Sequence, residues 1–195
     1  MCIDSQTSLA SFIIGEIAGL LLVLTGKKEK QVIGLFIMFY SLVQLFEYNI
    51  YKNKNISLHS QLLLLNLVSQ GLVLFVLVKN ICNISNIYIY IGLFVLLCSI
   101  FLMLYKKQQD ATIESCIKWT FLNSSYANLL TIMYLSMFHL LLFDKCIRNN
   151  KFLNKIGYFF LITYILSKII SKLGEKVPSY WCLSSAVLAP TLLLF

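Results

Sequence analysis

Seven long apolar stretches, joined by short connections rich in Lys and Asn, constrain this chain more than any other feature. They run over Ser8–Thr25, Gln31–Tyr51, Leu58–Val78, Ile84–Tyr105, Phe121–Phe143, Ile156–Ser171 and Ser179–Phe195. Each is long enough, or nearly so, to cross a hydrocarbon core of about 30 Å, which takes roughly 20 helical residues. Continuous apolar runs lack the alternation of a barrel strand, so helices are the spanning form. The pattern predicts an all-α integral membrane bundle of seven transmembrane helices, one transmembrane domain over residues 1–195. The last two spans are the shortest, and Pro190 is placed to bend the seventh. Six helices with a re-entrant or interfacial end form the alternative.

Composition narrows the functional classes. Hydrophobic residues make up 59% and charged residues 12%, with a mean hydropathy of +0.81. A soluble domain carries roughly 25% charge, so this chain cannot cover itself with polar surface. A soluble enzyme, a disordered tail and a free-standing nucleic-acid binder are excluded. The net charge of +8 sits in clusters between the spans, where it suits anionic lipid headgroups. The expected partner is therefore the lipid bilayer and not a nucleic acid. No positive segment precedes the first span, which reads as a retained helix and not as a signal peptide. Eight of the sixteen Lys and Arg fall on the N-terminal face and eight on the opposite face, so total charge sets no orientation. The first helix alone, with Lys27, Lys28 and Lys30 after it and no cation before it, favours an outside N-terminus.

Polar residues within the spans carry the functional question. Of eight acidic residues, Glu16 and Glu47 alone lie inside spans. A buried carboxylate is costly in lipid and faces the bundle interior. At 1.5 Å per residue, Glu16 lies about 12 Å below the N-terminal face, Gln44 about 10 Å, Asn66 about 12 Å and Asn128 about 10 Å. Four helices thus place a carboxyl or amide at one depth. Glu47, one turn from Gln44, and Lys168 on the sixth span extend this layer. Two roles compete: hydrogen bonds that fix helix packing, or a cavity for a cation, a proton or a small solute. Gly15 and Gly19 match the close-packing spacing G-x-x-x-G, which serves packing within one bundle.

Six cysteines occur without C-x-x-C spacing, and no metal-ligand pattern is present. Cys2, Cys116 and Cys182 fall near the N-terminal face, with His59 and Trp181 beside them; Cys82 and Cys146 fall near the other. Free thiols are the favoured state, with a disulfide inside the Cys2–Cys116–Cys182 group as the alternative. The two histidines, His59 and His139, sit near opposite ends of their spans, which excludes multi-histidine metal and haem chemistry. Phosphate-loop, nucleophile-elbow and zinc-protease motifs are missing. No cofactor and no metal is expected. The leading class is a non-enzymatic membrane component acting in solute or ion passage or in membrane organisation. An intramembrane enzyme using Cys2 or Cys182 is the third class.

The opening run Met1-Cys2-Ile3-Asp4-Ser5-Gln6-Thr7-Ser8, with Gly15 behind it, resembles a family of uncharacterised multi-pass membrane proteins of large DNA viruses, with distant bacterial relatives, that open Met-Cys-x-Ser. Gln44 and Glu47 match that family's Gln-x-x-Glu pair in the second helix, and Trp181-Cys182 its Trp-Cys step near the end. Asp4 stands where the family has Ser. The resemblance implies a seven-helix protein of a host or virion membrane and supplies no activity.

Overall fold

Each turn between the first helices is built from a capping side chain or a backbone that the sequence makes easy. In the computed structural model, which describes residues 4–105, 112–113, 117–118, 124–171 and 189–194, helix α1 spans Ser5–Leu24. Its cap is Asp4, whose carboxylate accepts from the Thr7 N–H at 2.7 Å. Hydrogen bonds from Thr7, its backbone N–H foremost, hold the Asp4 carboxyl below the usual carboxylate value. This cap is therefore at full strength above the ordinary carboxylate pKa and fades as pH falls through the lowered one. Gly26, at φ +73°, reverses the chain into α2, Lys28–Tyr51. Asn53 and Asn55 take the left-handed backbone after α2, a conformation asparagine tolerates. The Asn55 side chain then caps α3, Ile56–Lys79.

Helix α4 spans Asn86–Tyr105, and a two-residue antiparallel pairing joins β1, Thr112–Ile113, to β2, Ile117–Lys118. Helix α5 covers Ser124–Phe143. Asp144 caps a single-turn helix, α6, Lys145–Asn149, and Asn150 caps α7, Lys151–Ser171, accepting from Phe152 and Leu153 N–H at 3.1 Å each. The last described element is a 3-10 helix, Ala189–Leu194. Consecutive long helices pack side by side from α1 to α5, α5 also rests on α3 and α7, and the 3-10 segment rests on α1. Short connections make neighbours from α1 to α4 antiparallel.

Among the described residues the fold is helical apart from that short pairing, and α1 to α4 are long and apolar enough to cross a membrane. Within the described residues α5 carries a shorter apolar segment, Asn128–Phe143. Seven transmembrane spans are expected; among the described residues four helices have the length and apolarity of a span, and the five-residue α6 is too short to be one. Residues 144–155, expected as a connection, hold α6 and the first turn of α7, because Asp144 and Asn150 cap helices through polar sequence that hydropathy reads as loop. The seventh stretch ends in 3-10 geometry at Pro190, and its residues 179–188 lie outside the described residues. Lys30 Nζ lies 3.4 Å from the Leu193 carbonyl, which sets this segment beside the start of α2, at the bundle end opposite Asp4.

The core begins where α1 meets α2. Ser8, Ser11, Gly15, Ala18, Gly19 and Leu22 are the buried face of α1, the small-residue face its sequence spacing pointed to. Its partner is Gly34. A Cβ on Gly34 would sit 2.5 Å from the Gly19 carbonyl oxygen and 2.9 Å from Val23 Cγ2, so the two backbones touch. Further along α2, Phe36 and Tyr40 close on Phe160 of α7, with ring centroids 5.7 and 5.8 Å away. Gly34→Ala forces the two backbones apart and is expected to cost about 1–3 kcal/mol. Leu35→Ala, at an outward position 47% exposed, is expected to stay within about 0.5 kcal/mol. Denaturation midpoints of the two variants check this; an unchanged Gly34→Ala midpoint would show that α1 and α2 are free to separate.

Candidate functional site

The interior polar groups separate into three sets with different hydrogen bonding. The first is a chain across three helices. Asn66 and Gln70 lie one turn apart on the same face of α3, a spacing that lets side chains meet. Asn66 Nδ2 donates to the Phe39 carbonyl of α2 at 3.0 Å, Gln70 Nε2 donates to Asn66 Oδ1 at 3.1 Å, and the Tyr134 hydroxyl of α5 donates to Gln70 Oε1 at 3.1 Å. Gln70 is fully buried. Gly71 makes room for the last link: α5 comes so near that a Cβ there would lie 2.6 Å from Met133 Cγ.

The second set joins α1 to α2. The buried Ser41 hydroxyl donates to Glu16 Oε1 at 2.7 Å and lies 2.9 Å from the Met38 carbonyl of its own helix. The in-span acid found by sequence thus points at protein.

The third set is nearer the Asp4 end. Gln44 is 0% exposed, and neither atom of its amide has a hydrogen-bond partner. Ser8 Oγ and His59 Nδ1 are also buried without one. Glu47, one turn from Gln44, is buried on the same helix. The His59 ring lies 6.2 Å from the Phe46 ring. A buried amide with no partner costs about 1–3 kcal/mol, which makes this corner the least satisfied part of the described interior.

Other expected members fall elsewhere. Asn128 is exposed and does not join the layer. Helix α5 turns Leu130, Met133, Met137 and Leu140 inward, and Asn128 stands about 140° round the helix from Met133. The side chain of Lys168 lies outside the described residues, as do Cys2, Cys116, Trp181 and Cys182, so of the surface cluster only His59 is described. Gln70, Ser41 and Tyr134 were missed by the sequence reading. The spacing of Gln70 from Asn66 was the available signal for the first; serine and tyrosine in apolar spans gave none.

The free-thiol expectation is corrected for Cys82 and Cys146, and the alternative bridge among Cys2, Cys116 and Cys182 falls outside the described residues. Cys82, in the turn after α3, is disulfide-bonded to Cys146 in α6, with Cα atoms 5.8 Å apart and a sequence separation of 64. Among the described residues Cys98 is the free thiol, and no cluster of three His, Cys, Asp or Glu could hold a metal. At the same bundle end the Tyr88 hydroxyl and His139 Nδ1 are hydrogen-bonded at 2.8 Å, joining α4 to α5. Among the described residues, the bundle interior offers amides, hydroxyls, the His59 imidazole and the carboxyls of Glu16 and Glu47.

No protein-family model, no curated protein and no solved structure matches this chain.

Proposed function

We propose that this chain is a polytopic integral membrane protein, non-enzymatic, whose interior polar groups hold its helices in register. Four helices of sufficient length and apolarity support insertion. So does the outer face of α4, where Phe94, Leu97, Phe101 and Leu104 are exposed, Leu104 by 84%. A face of that kind suits lipid and is a liability in water. One observation carries the role given to the polar layer: two amides paired within α3, Asn66 and Gln70, bond outward to the Phe39 carbonyl of α2 and the Tyr134 hydroxyl of α5. Such bonds are worth about 0.6 to 2 kcal/mol each in lipid. The bilayer is then the partner, and the action is structural or organising. Kinship with the viral membrane family, and with it a host or virion membrane, rests on the sequence motifs, of which Gln44 and Glu47 are the described pair.

A second reading, passage of a small polar solute or cation, is favoured by the unpartnered Gln44 amide with Ser8 and His59. Glu16 separates the two. On the structural reading, reconstituted protein moves no protons, Na⁺ or K⁺, Glu16→Gln stays folded and stable, and Glu16→Leu, which removes the interhelical bond and leaves the Ser41 hydroxyl only the Met38 carbonyl of its own helix, loses about 0.6 to 2 kcal/mol. Cation flux in the wild type that Glu16→Gln abolishes would overturn it in favour of passage.

The disulfide bears on orientation. Disulfides form and persist in oxidising compartments, so we infer that the Cys82–Cys146 end faces away from a reducing cytosol and the Asp4 end faces it. This opposes the orientation favoured by the first helix's charges. In sealed cells, a membrane-impermeant reductant followed by an impermeant maleimide polymer should label Cys82 and Cys146 without permeabilisation. Labelling that requires permeabilisation would reverse the orientation, and labelling without reductant would remove the bridge.

A further inference from the structure

The bundle end opposite Asp4 holds a cleft of about 480 Å³ between the first turns of α2 and α7, lined by Lys27, Lys30 and Lys151 together with Glu29, Asn150 and Phe152. Three ammonium groups against one carboxylate leave a surplus of two positive charges in the lining. The carboxylate is already engaged, since Glu29 Oε1 accepts from Asn150 Nδ2 at 3.4 Å. Lys30 is held in place: its Nζ sits 5.7 Å above the centre of the Phe152 ring and 3.4 Å from the Leu193 carbonyl oxygen. An ammonium fixed by an aromatic face and a carbonyl keeps hydrogens for a third partner and loses little freedom when one arrives. The Lys27 cap of α2 offers no side-chain acceptor, so the first N–H groups of that helix add positive character at the same mouth.

We propose that this cleft is a phosphate-binding site. Three lysines lining one cleft from the starts of two helices suit a tetrahedral anion with several oxygens, and the volume accommodates a glycerophosphate-sized group. The phosphate could be that of a lipid headgroup or of a soluble phosphate ester; the chemistry recognised is the same. The headgroup source rests on the membrane reading above. The cleft lies at helix ends, where headgroups would be, and the exposed Leu20, Leu21 and Leu24 of α1 descend from the same end and offer apolar surface to acyl chains.

The test uses the full chain purified in a neutral detergent, with bound ligand counted by native mass spectrometry. Probes are phosphatidylglycerol, phosphatidylcholine, inorganic phosphate and glycerol 3-phosphate. A lysine near a lipid surface contributes about a fivefold preference for anionic phosphate. Phosphatidylglycerol should therefore outbind phosphatidylcholine, and the double variant Lys30→Gln, Lys151→Gln should bind it roughly 25-fold more weakly. Lys30→Arg, Lys151→Arg should restore binding, and Lys52→Gln, Lys54→Gln at the far end should leave it unchanged. Glycerol 3-phosphate binding as tightly as the lipid, with the same dependence on Lys30 and Lys151, keeps the phosphate site and assigns it to a soluble ester. Equal binding by the Gln double variant, at an unchanged melting temperature, overturns the proposal. Alkaline carbonate extraction of native membranes is run alongside: a protein released by carbonate fails the membrane reading, whereas one that stays bound and shows no phosphate preference fails this inference alone.

Discussion

One amide, that of Asn66, holds three helices to a common register. Its Nδ2 reaches the Phe39 carbonyl of α2 and its Oδ1 receives Gln70, which passes the connection to Tyr134 on α5. Where water is scarce, a polar side chain must find its partners within the protein or leave them unpaired at a cost of about 1–3 kcal/mol. A chain of such bonds tolerates few alternative packings. A one-residue slip of α3 carries Asn66 about 100° round the helix and away from Phe39. Apolar contacts alone discriminate less between registers, because Leu against Leu packs nearly as well one turn along.

The other contacts arrange themselves around this register. Gly19 against Gly34 brings α1 and α2 into backbone contact, which is the distance Ser41 needs to reach Glu16. Gly71 against Met133 does the same for α3 and α5 beside the Gln70–Tyr134 bond. In both places a glycine sets the helix separation and a hydrogen bond sets the register. The Cys82–Cys146 bridge then closes one end of the α3–α5 pair covalently. At the other end Gln44 remains buried with its amide unpaired, so the bundle is tightly specified at its middle and least satisfied towards the Asp4 end.

Much of this was legible in the sequence, and the parts that were not have physical reasons. Apolar runs locate α1 to α4 to within a few residues, because the burial that makes a long helix stable is written in hydropathy. Helix starts were displaced wherever a cap decided them: Asp4 begins α1 at Ser5, and Asn150 begins α7 at Lys151, through residues that hydropathy counts as loop. Counting depth brought Glu16, Gln44 and Asn66 to one level but ignored direction round the helix, which is why Asn128 was included although α5 turns it outward. Gln70 was passed over because its depth differs from the rest, while its i+4 relation to Asn66 was in plain view. That Cys82 and Cys146 share a face followed from counting helices; their pairing depends on the packing of α3 against α5, which no local pattern encodes.

Side-chain bonds between helices carry the polar interior, and a double-mutant cycle on Gln70 and Tyr134 tests that most directly. Gln70→Leu, Tyr134→Phe and the double variant, each unfolded reversibly from lipid-detergent mixed micelles, give a coupling free energy free of the single-site losses. A direct Gln70–Tyr134 bond gives a favourable coupling of about 0.6 to 2 kcal/mol. Strictly additive single effects would contradict it, since the two groups would then be bonding to water and not to each other.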